Sequence, residues 1–526
     1  MTVNLYDEFA YPGHPIPQSH PDNLATLATL FGMTPAPVDR CRVLEIACGD
    51  GGNLIPMAFA LPHSNFVGFD LAARPIAMGS ARANVLGLKN IQLHALDIMD
   101  VPADFGTFDY ILCHGVYAWV PDAVKEKLLE ICRKHLAPAG VAYVSYDTHP
   151  GGHLRRMLRE MMLFHVREMS DPAERARQAR ALLKFLSDSK GSSDPYGSYL
   201  REELAGFTDR TDADILHDDL ERNYSPIWFH QFMAHARKHG LQYLADAMFH
   251  TMNSRDLPAE AAKVVREVAQ RDSVIGEQYL DFLTCRFFRR TLLCHQGVPL
   301  DRALLPEKVR AFYVASSAKT TAQGADMRSD ATVEFKGGKG VGLTTSQPLA
   351  KSALALLGRV WPRALHFEEL LLRTRASLEM PPSQDEAEQT REALKLGDVL
   401  LRTYAGGLVE FHVHPARFAS QPGPRPMVSA LVRLQAAEGD TITTPSHATI
   451  HLPDDLVREI VKLLDGTRDL ATVAGEIMGL IESGKIPLER GGAPPPNQET
   501  MWKAVTEKVD LTVAEGVQWG LFLDGV

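Results

Sequence analysis

The chain has 526 residues, with 55 Lys+Arg against 65 Asp+Glu, a formal net charge of −10. That length suggests about three or four domains of roughly 150 residues. With 45% hydrophobic and 23% charged residues, wholesale disorder is excluded, and the acid excess argues against a chain whose main task is gripping phosphate backbones.

The first residues, MTVNLYDEFAYPGHP, carry acids and prolines where a signal peptide needs a basic flank and an apolar stretch. No apolar run approaches the roughly 18 to 20 residues that span a bilayer. The six cysteines form no C-x-x-C pair and read as reduced thiols. These features predict a cytoplasmic protein without a membrane span.

Up to residue 153, short apolar runs alternate with helical periodicity. The runs are Arg42–Ala47, Asn65–Phe69, Ile91–Leu93, Phe108–Cys113 and Val141–Tyr146. Alternation at this spacing predicts an α/β fold with a Rossmann-like parallel sheet covered on both faces. Residues 154–214 read as a helical insertion, with a polar break at Ser187–Ser198. Phe229–His239 reads as a helix stopped by Gly240, and Leu241–Phe249 as an extended segment. Residues 215–315 then complete the sheet and add a helical middle region, with about Ala259–Phe312 read as helical. A Gly/Ser/Thr-rich stretch, 316–349, reads as a linker. Lys351–Val360, Phe367–Leu378 and Glu386–Arg402 read as three helices before an extended Leu408–His414. That layout predicts a winged-helix-like α+β region over 350–526.

The first run ends in V-L-E-I-A-C-G-D-G-G-N at 43–53. Glycines at a strand-to-helix turn let a ligand approach the backbone, and the helix start offers free N–H groups. Asp70 ends the second run, where a carboxylate accepts both ribose hydroxyls, with Leu71 following it. Asp97 ends the third, where it meets an adenine amino group, and Ile98 packs beside it. The order E-x-x-C-G-x-G-x-N favours S-adenosyl-L-methionine over a nicotinamide dinucleotide. Glu45, Gly49, Gly51, Asn53, Asp70, Leu71, Asp97 and Ile98 form the expected cofactor set, with His114 after the fourth run.

Beyond these residues, Y-D-E-F-A-Y-P at 6–12, S-H-P-D-N-L at 19–24, E-I-A-C-G-D-G-G-N-L-I-P-M-A at 45–58, C-H-G-V-Y-A-W-V-P at 113–121 and Y-V-S-Y-D-T-H-P-G-G at 143–152 form a pattern. So do F-H-Q-F-M-A-H-A-R-K-H-G-L-Q-Y-L at 229–244 and Q-Y-L-D-F-L-T-C-R-F-F-R-R-T-L-L-C at 278–294. Residues 1–300 thereby resemble class I methyltransferases carrying a methyltransferase regulatory domain, a family that includes bacterial lysine methyltransferases of outer-membrane proteins. L-L-D-G-T-R-D at 463–469 resembles the winged-helix-like tail of some members. The resemblance implies N-methylation of lysine side chains on a protein substrate, a lid over the cofactor formed by Tyr6 and Tyr11, and dimerisation through the insertion. Where the family shows S-Y-N-T-x-P-G-W, this chain has Asp147 and Gly152, which leaves the acceptor open.

On the acceptor side, Tyr6, Tyr117 and Asp147 are the candidate catalytic groups, and Tyr11, Trp119 and His149 the candidate substrate contacts. His149 and His153 have one-face helical spacing, but Gly151 and Gly152 between them argue against a helix, so no metal is expected. His412 and His414 read as exposed on one strand face. In Glu386–Arg402, four acids (Glu386, Glu388, Glu392, Asp398) face three bases (Arg391, Lys395, Arg402), the wrong balance for entering a nucleic-acid groove. Two other readings stay open: a small-molecule or peptide methyltransferase of a biosynthetic pathway, and a cofactor-binding regulator or scaffold with weak catalysis.

Overall fold

The computed structural model describes residues 13–191, 193–208, 210–255, 257–322, 324–380, 385–419, 421–486 and 497–523. A first helix, α1 (Pro21–Leu30), starts at a proline with the His20 imidazole capping it, and buries Leu24, Leu27 and Leu30. Then follow β1 (Arg42–Ile46), α2 (Leu54–Ala60), β2 (Asn65–Asp70), α3 (Ala73–Val85), β3 (Ile91–Ala95), β4 (Phe108–Cys113), α4 (Asp122–His135) and β5 (Leu136–Asp147). All five strands pair in parallel. Their side chains divide between two cores. Val43, Tyr110, Leu112 and Tyr143 face one, while Leu44, Ile46, Ile111 and Val144 face the other. Burial on both faces makes β1, β4 and β5 largely apolar, whereas the edge strand β3 buries no residue fully.

Three helices, α5 (Gly151–His165), α6 (Pro172–Asp188) and α7 (Pro195–Thr208), surround a separate small core of Leu158, Met162, Ala179, Leu183 and Leu200. The helix α8 (Phe229–Lys238) leads into β6 (Leu241–Asp246), then α9 (Ala259–Arg271), α10 (Ser273–Thr284) and β7 (Phe288–His295). The completed sheet has seven strands in the order β3-β2-β1-β4-β5-β7-β6, with β7 antiparallel to both neighbours. Here β7 corrects the expectation of a helical block through Phe312. Its sequence disguises it because Arg289 and Arg290 interrupt the apolar run. Arg289 is fully buried, and its guanidinium bonds Asp281 at 2.8 Å and Glu277 at 3.0 Å, both on α10.

Next come β8 (Tyr313–Ala315), β9 (Lys319–Thr320), β10 (Val333–Lys336) and β11 (Gly342–Thr345), the last three forming an antiparallel sheet inside the stretch read as a linker. In β10, Val333 and Phe335 are buried while Glu334 and Lys336 are exposed. A strand that buries only alternate residues carries little apolar content and is easily mistaken for a connector. The helices α11 (Pro348–Val360), α12 (Phe367–Ser377) and α13 (Glu386–Ala405) accompany β12 (Leu365–His366) and β13 (Glu410–His412), which flank β8. Leu354, Leu370 and Leu400 of these helices share one core with α1 and the sheet. The last segment, α14 (Ala430–Glu438), β14 (Thr441–Thr443), β15 (Thr449–His451), α15 (Asp455–Leu463), α16 (Leu470–Glu482) and α17 (Gln498–Gln518), has its own core around Val432, Ile460, Ile477 and Val509. Residues 350–526 therefore divide between two cores, where the sequence suggested one winged-helix-like region. No helix among the described residues is long and apolar enough to cross a membrane.

Candidate functional site

The carboxyl ends of β1, β2 and β4 meet at the glycine turn. Gly49 and Gly51 hold φ of 55° and 74°, values that favour glycine. A Cβ at Gly49 would meet nothing within 4 Å, so this backbone faces open space. Asp70 is tied into the turn, its carboxylate accepting from the Gly49 amide at 2.9 Å and the Ala72 amide at 2.8 Å. Each carboxylate oxygen has a further lone pair available for a ribose hydroxyl. The exposed Leu71 and half-buried Ile98 follow the two strand-end acids, and Asp97 accepts from the Met99 amide at 2.9 Å.

Glu45 is buried, and burial pushes its carboxyl up to about 8. One oxygen accepts from the Asn53 amide at 2.7 Å, while Oε2 has no partner among the described residues. A buried carboxylate with one vacant oxygen fits a cationic ligand group. Asn53 is itself a junction. Its Oδ1 accepts from the Ile16 amide at 2.8 Å, and Nδ2 also reaches Ser19 Oγ at 3.0 Å. The leader passes directly over the turn, since a Cβ on Gly52 would strike the Gly13 backbone at 2.3 Å. Tyr6 and Tyr11, the expected lid residues, lie outside the described residues.

One contact was not foreseen. His447, in the connection between β14 and β15, donates from Nε2 to Asn53 Oδ1 at 2.8 Å. It is buried, has a φ of 62°, and burial lowers its pKa well below the usual range, so the ring is neutral. Nothing local in the sequence signals this approach, because the partners are 394 residues apart.

His114 lies deep beside the cleft, its Nδ1 2.8 Å from Tyr143 Oη and 3.0 Å from Ser145 Oγ. Burial lowers its pKa to about 3, which keeps the imidazole neutral. Tyr117 is buried with its hydroxyl 2.7 Å from His235 Nδ1, and burial raises the phenol above its usual range. A phenol so placed is a poor base. Asp147 is also buried. Burial raises its carboxyl although Arg155 pairs with it at 3.0 Å. Trp119 packs against Tyr224 with ring centroids 4.9 Å apart, and the Arg159 guanidinium lies 4.8 Å and 4.4 Å from the two rings. His149 stacks on His153 at 3.7 Å. This corrects the argument against a helix there: α5 begins at Gly151, where Cys285 O and Phe287 approach so closely that a Cβ would clash at 2.6 Å. His412 is likewise not an exposed strand residue, since its Nδ1 lies 2.7 Å from the buried Asp22.

Comparison with known proteins places the fold. Residues 43–140 match the model of a methyltransferase domain. Residues 211–295 match one described as "Predicted methyltransferase regulatory domain", and residues 424–521 one described as "PKMT, C-terminal winged helix domain". The winged-helix match begins after α13, so Glu386–Arg402 is not its third helix. PKMT2 from Rickettsia typhi, solved in complex with AdoHcy, is 28% identical with a TM-score of 0.87, covering 97% of this chain and 99% of its own. The protein named "Uncharacterized protein RP789" of Rickettsia prowazekii is 33% identical over 511 residues, 95% of this chain and 90% of the relative. A second protein of that organism, "Uncharacterized protein RP028", is 39% identical over 234 residues, 44% of this chain and 94% of its own length.

The fold and the methyltransferase-domain match define a class I methyltransferase that uses S-adenosyl-L-methionine. Within that class, the chain belongs to the family it shares with RP789, which joins a methyltransferase domain to a regulatory domain and a PKMT-type winged helix. The cofactor supplies an activated methyl group on a sulfonium. The chain's task is to hold the donor, desolvate the acceptor and align the two.

Proposed function

We propose that this methyltransferase transfers methyl groups to lysine side chains of a protein substrate in the cytoplasm. The observation that carries the reading is likeness along the whole chain, regulatory and winged-helix regions included, to PKMT2 from Rickettsia typhi. A donor-binding sheet alone would serve any acceptor, whereas the added regions suit a macromolecule.

The chemistry past β4 and β5 supports a cationic acceptor. Trp119 and Tyr224 form an aromatic pair beside Asp147, and the chain's own Arg155 and Arg159 stack on these rings. A lysine must lose its proton before it attacks. With a free pKa of about 10.4 that costs roughly 4 to 5 kcal/mol at pH 7, and transfer into a dry aromatic channel reduces the cost. The helical insertion, whose Phe164 and Phe185 are 67% and 66% exposed, is our candidate for self-association. Sedimentation of a Phe164→Ser, Phe185→Ser variant tests that point.

The decisive experiment incubates the full chain with methyl-labelled S-adenosyl-L-methionine and lysate of the source cells, followed by acid hydrolysis of the labelled fraction. Label recovered as methyl-lysine from a protein band is the expected result. Label confined to small molecules overturns the reading in favour of a biosynthetic acceptor.

A further inference from the structure

On the face where α4 meets α8, Glu126 lies against two histidines, His235 within α8 and His239 at its C-terminal cap. Glu126 Oε1 is 3.0 Å from His235 Nε2, and Oε2 is 2.9 Å from His239 Nε2. The three ligand atoms all lie within 4.8 Å of one another. We propose that Glu126, His235 and His239 bind one divalent transition-metal ion of the zinc class, leaving a fourth position for water.

Three features favour this over a plain ion-pair cluster. Two imidazoles four residues apart project from one helical face, and a carboxylate from a second helix completes an N2O set suited to zinc. His235 Nε2 is buried yet makes no hydrogen bond among the described residues, despite an oxygen 3.0 Å away. A zinc ion held by this nitrogen would sit about 2.0–2.1 Å from it. Finally, the opposite ring nitrogen is held, because His235 Nδ1 lies 2.7 Å from Tyr117 Oη. In the tautomer that donates from Nδ1–H to Tyr117 Oη, Nε2 presents a free lone pair to a metal ion. In that tautomer a cation between Nε2 and the Glu126 carboxylate would bind both groups. A bound ion would fasten α4 to α8 and, through Tyr117, hold the loop after β4.

The test uses the full chain stripped with EDTA and titrated with Zn2+ alone by equilibrium dialysis, with Co2+ as a spectroscopic probe. One equivalent of Zn2+, a raised thermal midpoint and the intense absorption of four-coordinate Co2+ are expected. His239→Ala and Glu126→Ala each leave the Tyr117–His235 contact in place and should weaken binding by about 100-fold. Tyr117→Phe should weaken it by about 10-fold. No uptake by the unaltered chain overturns the proposal. So does uptake unchanged in the Glu126→Ala, His239→Ala double variant, or uptake lost on His149→Ala, His153→Ala instead.

Discussion

His447 Nε2 lies 2.8 Å from Asn53 Oδ1, so a residue of the winged-helix region touches the amide that bonds the buried Glu45 beside the glycine turn. A second link runs parallel to it. Arg82 on α3 pairs with Asp50 of the glycine turn at 3.0 Å and with Glu438 of α14 at 3.2 Å. The carboxyl-terminal region is thus part of the wall behind the cofactor turn. His447→Ala should weaken S-adenosyl-L-methionine binding by about 3- to 10-fold, the value of one buried hydrogen bond of about 0.5–1.5 kcal/mol. Calorimetric titration checks this, and unchanged affinity would mean that the contact is only packing.

Asp70 carries the site assignment. Losing the charge-assisted hydrogen bonds of a carboxylate costs about 1.5–3 kcal/mol each. Asp70→Ala should therefore reduce cofactor affinity on the order of 100-fold or more, with the far-ultraviolet circular dichroism of the unaltered chain retained. Native-like affinity in that variant would remove Asp70 from the site.

Glu45 predicts a pH dependence. Burial raises its folded-state pKa from 4.5 to about 8, so the free folded chain holds a proton that the unfolded chain has released. Stability of the free protein should fall as pH rises between these values. A cationic ligand group favours the carboxylate, so affinity should climb toward pH 8 and level off. Glu45→Gln should flatten both profiles.

The His412–Asp22 pair adds a second pH dependence. Burial alone would lower the His412 pKa, but the Asp22 carboxylate outweighs it and raises the pKa from 6.5 to about 10, while Asp22 itself is lowered. The His412 contribution is fully present below pH 6.5 and is lost as pH rises through 10. The Asp22 contribution is present above pH 3.8 and is lost on acidification. Denaturant titrations from pH 8 to 10, above the Glu45 transition, should show a falling stability that His412→Gln removes.

Arg289→Ala should destabilise the fold by about 3–5 kcal/mol, since it strands Glu277 in the interior and leaves Asp281 with Arg286 as its remaining ion-pair partner. Arg289 also lies 3.8 Å over the Phe229 ring, so part of the loss is packing. Urea unfolding measures it, and a loss below about 1 kcal/mol would mean that the carboxyl groups simply take up protons.

What the sequence determined by itself was the donor half of the sheet. Strands β1, β2, β4 and β5 bury residues on both faces, which writes them as largely apolar runs, and the acids at 45, 70 and 97 lie at or just past the carboxyl ends of β1, β2 and β3. The resemblance placed the family. Tertiary structure alone decided the rest. The seventh strand was hidden because its buried arginine is compensated by carboxylates on another element. The supposed linker was a sheet whose strands bury only alternate residues. The contact of His447 with Asn53, and of His235 and His239 with Glu126, joins residues distant in the chain. The spacing of His235 and His239 on a predicted helix was visible, but the carboxylate opposite them was not. Periodicity records which face of an element is dry; only packing records what lies across from it.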